Sequence, residues 1–148
     1  MTAHMFPILQ KEVLELPPAG WGNFLDRVKD DWDKKAKEMG TEELVNVEKR
    51  LNKELERVKT VLYEIQMKEE ALEQLLKSPE ALMNFVIAWN GTVETRSAII
   101  EDYVDTYRFI KARLVELRRR RDELKREHAF YFTIRYIVRS ELERRAEE

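Results

Sequence analysis

The chain has 148 residues, enough to bury one core without staples, and no cysteine, which excludes disulfides and thiol catalysis. Its composition, 38% charged and 43% hydrophobic with four glycines and four prolines, is that of long helices and excludes general disorder. With 27 Lys and Arg against 29 Asp and Glu, no whole-molecule field draws the chain to nucleic acid or an acidic membrane, so any such binding must come from a local patch.

No signal peptide is visible, and the longest apolar runs, such as Phe85-Val86-Ile87-Ala88-Trp89, fall far short of the ~20 residues that a membrane span needs. A soluble, cytoplasmic protein is expected. Met1-Thr2-Ala3-His4-Met5 carries a second methionine after His4, a pattern often left by cloning, and residues 1–4 are set aside. Pro7, Pro17, Pro18, Gly20 and Gly22 make residues up to 22 an N-terminal arm with at most a short helical turn over Ile8 to Leu16. Phe6, Ile8, Leu9, Val13, Leu14, Leu16 and Trp21 are too apolar for a free tail, so the arm is expected to strap across the rest, residues 23–148, read as one helical domain.

A first helix is predicted from Asn23, as N-cap, to Met39, stopped by Gly40, with Phe24, Leu25, Val28, Trp32, Ala36 and Met39 as its buried stripe. Asp30, Asp31 and Asp33 each precede a lysine by four residues, the stabilising order on an outer face. Thr41 caps a second helix running unbroken to Lys77. Its seam is Leu44, Leu51, Leu55, Val58, Leu62, Ile65, Leu72 and Leu76, interrupted by Glu48 and Glu69. Ser78-Pro79 then restarts a short, nearly all-apolar helix to Trp89, ended by Asn90-Gly91 and read as an end cap.

Thr92 caps a long final helix whose stripe is Ile100, Tyr103, Tyr107, Ile110, Leu114, Leu117 and Leu124. The second helix and Val93 to Arg126 match in length, which predicts an antiparallel hairpin of roughly 50 Å at ~1.5 Å per residue. The last segment either folds back along the hairpin, which a break near Glu127-His128-Ala129 would favour, or extends beyond it, and no Gly or Pro there enforces a break. Ala129 to Val138 is rich in β-branched and aromatic residues, but no second strand exists to pair with it, and its spacing also fits a helix. The fold class expected is all-α: a bundle of four main helices around a long antiparallel hairpin, with a short capping helix and an N-terminal arm.

Placing Lys77 opposite Val93 sets Glu48 opposite Arg121, an ion pair across the seam that would fix register. The same register brings Glu69, Glu70 and Glu73 level with Glu101, Asp102 and Asp105, a height at which bundles build divalent-metal sites. Glu70-x-x-Glu73 with Asp102-x-x-Asp105 resembles the paired acidic motifs of the all-α MazG-like nucleoside triphosphate pyrophosphohydrolases. The resemblance covers these four positions. It implies a metal-dependent hydrolase with Glu70, Glu73, Asp102 and Asp105 as ligands, although that family has Glu where Asp102 stands, and no supporting nucleotide-binding set accompanies it.

No Gly-rich phosphate loop, no activated nucleophile and no His and Cys zinc set occurs, and His4 and His128 stand alone, so no cofactor and no catalysis are expected. The basic segment is the most distinctive feature. Between Lys111 and Arg126 eight basic residues face three acidic ones, and four consecutive arginines cannot all meet one neighbouring helix. Arg118, Arg119, Arg120, Arg121, Lys125 and Arg126 are expected to pair with glutamates of the second helix or to meet an acidic protein partner, with nucleic acid as a third use. Phe130, Tyr131, Phe132 and Tyr136 extend this partner surface. Both the Leu82 to Trp89 helix and the Phe130 to Val138 segment offer more apolar area than one stripe can bury, which points to self-association. The function expected is a protein–protein interaction module, structural or regulatory and capable of homo-oligomerisation. Dense Glu, Lys and Arg with no cysteine is compatible with a thermophile or its virus.

Overall fold

The computed structural model describes residues 9–90 and 96–148, with side chains over 9–88 and 100–148. Expectations for Phe6, Ile8, Gly91, Thr92 and residues 1–4 lie outside the described residues. The described elements are all helical: α1 (Lys11–Leu14), α2 (Pro18–Glu38), α3 (Thr41–Lys77), α4 (Pro79–Asn90) and α5 (Arg96–Ala146). No strand occurs among the described residues, and 129–138 is helix throughout. The all-α architecture expected from the apolar periodicity is therefore the one adopted.

Three features bear on the expected elements. First, α2 begins at Pro18 rather than after Asn23, so Gly20 and Gly22 lie inside a helix. Proline at the first helical position lacks an N–H that would be unbonded anyway, and its fixed φ suits a helix. Each interior glycine costs up to ~1 kcal/mol relative to alanine. Ring stacking of Trp21 on Phe24, at 5.5 Å between centroids, works against that cost. Second, of the two alternatives left open for the last segment, α5 takes the continuous one, running through Glu127-His128-Ala129 without a break. With neither Gly nor Pro there, nothing interrupts the backbone ladder. Third, Ile100, expected in the seam, is 56% exposed.

The chain divides into two compact units, residues 1–61 with 123–148 and residues 62–122. In the first unit three helical segments share a core. Val28, Trp32 and Ala36 of α2, Leu44, Val47 and Leu51 of α3, and Phe130, Ile134, Ile137 and Val138 of α5 form one cluster, with Leu9 of the arm packed on it. The three- and four-residue steps within each set are what one helix face requires. Leu14 is buried, and Arg126 donates to the carbonyls of Leu14, at 3.0 Å, and Leu16 while its guanidinium sits 5.2 Å from the Trp21 ring. The arm is thus strapped down by a residue expected to face a partner.

The second unit contains the C-terminal half of α3, all of α4 and the first half of α5. Ser78 caps α4, its Oγ accepting from the Ala81 N–H at 3.1 Å, with Pro79 at the first helical position as the sequence predicts. Leu82 of α4 packs with Ile110 and Leu114 of α5, joined by Leu72, Leu75 and Leu76 of α3 and Tyr103 and Tyr107 of α5. So α4 prolongs the α3 arm against α5 instead of capping the hairpin's end. This changes the register: Arg121 faces Glu69 and not the expected Glu48, a shift of about 20 residues or ~30 Å of helix.

A candidate interaction surface

The corrected register redistributes every charge singled out from the sequence. Arg121 Nη1 donates to Glu69 Oε2 at 2.8 Å, and Glu69 is only 4% exposed. Arg118 Nη2 donates to Glu73 Oε1 at 3.0 Å. Glu48 takes Arg139 instead, at 3.4 Å. The expected Glu48 and Arg121 pair is thus replaced by two others, because α4 lengthens one arm of the hairpin. Arg119 and Arg120 are exposed and engaged, Lys125 is exposed, and Arg126 is spent on the arm. The basic segment is therefore not a bare ridge: its two α3-facing arginines are matched by α3 glutamates, although by Glu69 and Glu73 rather than by glutamates nearer Thr41.

The same shift dismantles the acidic cluster. Glu73 is held by Arg118, while Glu70 and Asp105 are exposed and Asp102 is half-buried. Among the described residues no three carboxylate or imidazole groups converge as a metal site would need. Glu70, Glu73, Asp102 and Asp105 were expected to stand level only because Val93 was set opposite Lys77. With Glu73 opposite Arg118, they do not.

Of the aromatic run, Phe130 is 0% exposed and belongs to the core, which removes it from the partner surface. It stacks at 6.0 Å with Phe24 and meets Tyr131 edge-on at 5.3 Å. Tyr131 is half-buried; burial pushes its phenol up, and the Glu127 carboxylate adds to the shift. Arg57 donates to that Glu127 at 2.8 Å. Phe132 and Tyr136, in contrast, are exposed. On α5, His128, Phe132, Arg135, Tyr136 and Arg139 recur at helical spacing and so form one strip, with the His128 and Phe132 rings stacked at 6.3 Å.

A second apolar surface lies on the 62–122 unit. Arg118 follows buried Leu117, Glu73 follows half-buried Leu72, and the two meet. Residues one place after a core residue thus share one side of this antiparallel pair, as the helical repeat dictates. Met83 and Ile87 hold that position after Leu82 and Val86, as Val104 does after Tyr103 and Val115 after Leu114, while exposed Arg108 after Tyr107 and Lys111 after Ile110 hold it between Val104 and Val115. Ile100, one turn before Val104, joins them. Ile87, Ile100, Val104 and Val115 are all exposed large hydrophobics, and Met83 is half-buried. Sequence reasoning flagged the excess apolarity of 82–89 but missed this group. Its signal was present in the pairs Tyr103-Val104 and Leu114-Val115, which widen the apolar arc of α5 beyond what one neighbour covers.

Compared with known proteins, the chain matches no family model, no curated protein and no solved structure. No described helix is long and apolar enough to cross a membrane.

Proposed function

We propose that the protein is a non-catalytic interaction module that binds protein partners through an apolar group on the 62–122 hairpin. The observation that carries this reading is the apolar group of Met83, Ile87, Ile100 and Val104, of which Ile87, Ile100 and Val104 are exposed, beside the smaller of the two described cores. Among the described residues six hydrophobic side chains are buried in that unit, Ile65, Leu82, Val86, Ile110, Leu114 and Leu117, against fourteen in the first unit. Each fully buried large side chain contributes about 1.5–3 kcal/mol, so covering the group adds to an otherwise modest total. A group of exposed apolar side chains rimmed by polar and charged ones marks a contact site. The arginines fit less well as the primary contact, since Arg118, Arg121 and Arg126 already bond α3 glutamates and arm carbonyls. Nucleic-acid binding through 111–126 would first have to break those bonds.

A photoreactive phenylalanine analogue at Val104, compared with one at Arg120, tests this in living cells. Covalent protein adducts are expected from position 104 and not from 120. Adducts from 120 alone, or nucleic acid as the species captured there, would overturn the reading.

A further inference from the structure

We infer that the N-terminal arm is a releasable strap latched by Arg126. It lifts as one body while the helices beneath stay folded, and so uncovers the seat of Leu9 and Leu14 together with the Arg126 guanidinium. The inference goes beyond the interaction-module reading and does not depend on it. Backbone bonding supplies the first argument. The bonds of α1 run among residues 10–16, from the Val13 and Leu14 N–H groups to Gln10, from Glu15 to Lys11 and from Leu16 to Val13. Those of α2 start beyond them: the Trp21 N–H donates to the Pro17 carbonyl at 2.9 Å, and Pro17 is extended at φ −56° and ψ 157°. Swinging the arm about Leu16 and Pro17 therefore breaks no helical bond of α2.

The proline pair explains why a latch is needed. In a continuing helix the Leu14 carbonyl would accept from residue 18, or in a tighter turn from residue 17, and both are prolines without an N–H. A carbonyl left so on a buried residue needs an outside donor. Arg126 of α5 supplies it. One nitrogen, Nη1, donates to the carbonyls of Leu14, at 3.0 Å, and Leu16, while the Trp21 ring 5.2 Å away holds the guanidinium from the α2 side. Side-chain burial adds Leu14 and Leu9, the latter packed on the shared core. Val13 and Leu16 are half-buried, and Gln10, Lys11, Glu12, Glu15 and Pro17 are exposed. Beneath the arm, α2, α3 and α5 interlock through ten buried side chains. A segment that buries so little opens at lower free energy than a core so interlocked.

Native-state hydrogen exchange of the full chain tests this. In the wild type the Val13, Leu14 and Glu15 amides are expected to exchange together, at least ~100-fold faster than those of Leu51 and Ile134 in the shared core. Arg126→Met keeps an aliphatic stem and removes the donor; it should speed the arm amides by a further factor of about ten and leave Leu51 and Ile134 unchanged. Lys125→Met removes the same charge one residue away and should leave the arm as in the wild type. Wild-type arm amides that exchange in step with Leu51 and Ile134 would mean that the arm opens only when its whole unit unfolds, which overturns the strap whether or not any variant folds. An Arg126→Met chain whose arm exchanges no faster than that of Lys125→Met overturns the latch.

Discussion

Glu141 is an acid buried among arginines, and its behaviour follows from its neighbours. Arg144 donates through Nε at 3.0 Å, and Arg145 through Nε at 3.0 Å. Arg145 then reaches the carbonyls of Ala36, at 3.1 Å, and Met39, at 2.7 Å, groups left without helical partners where α2 ends. One carboxylate therefore orients the cation that closes the corner between α2 and α3. The hydrogen bonds from Arg144 first, and those from Arg145 behind them, hold the Glu141 carboxyl at about 2, down from 4.5. A depressed carboxyl stabilises the fold fully above the unfolded value and loses that contribution as pH falls through the folded one. Glu141→Gln should therefore be less stable than the wild type near neutral pH, with the gap closing as pH falls from 4.5 toward 2. Urea unfolding at a series of pH values checks this, and a gap independent of pH would contradict it. Little of this cluster was legible beforehand. In sequence, Glu141 and Arg145 show only an i,i+4 spacing, and the closeness of α2's end is what reveals the part Arg145 plays.

At the scale of elements, helices were legible and their register was not. Apolar spacing and caps located α3, α4 and much of α5, because seam positions and Ser78-Pro79 are local signals. Register depends on what faces what, and α3 offers a glutamate to almost any register of the arginines. The missing fact was that α4 continues one arm, which no local residue states. Glu69 and Arg121 now fill the register-fixing role that was expected of Glu48 and Arg121. Glu69 Oε1 and Arg121 Nε are buried without hydrogen-bond partners, so this pair is imperfectly compensated. Arg121→Met alone strands the buried carboxylate and should cost about 3 kcal/mol. The double variant Glu69→Leu with Arg121→Met should recover most of that loss, because desolvation of both charges disappears together. Denaturant midpoints of the two proteins decide the matter. A double variant no more stable than the single one would show that the pair supplies net stability rather than register.

For the whole molecule, the surface left for others is what remains once internal contacts are counted. The basic segment drew attention in the sequence because charge is conspicuous there, yet Arg118 and Arg121 are matched within the fold and Arg126 secures the arm. Apolar side chains at the flanks of a seam are inconspicuous in sequence, since whether they are covered depends on how many helices surround that seam. Two cover it in the 62–122 unit, and the apolar group beside it remains open. Hydroxyl-radical footprinting of the full chain, purified and inside cells, measures that surface directly, since methionine and aromatic side chains report their own exposure. Met83 is expected to lose reactivity inside cells, while Tyr63 and Met67, exposed on α3 outside the group, do not. Reactivity that is unchanged at Met83, or protection confined to Tyr63 and Met67, would contradict the interaction-module reading.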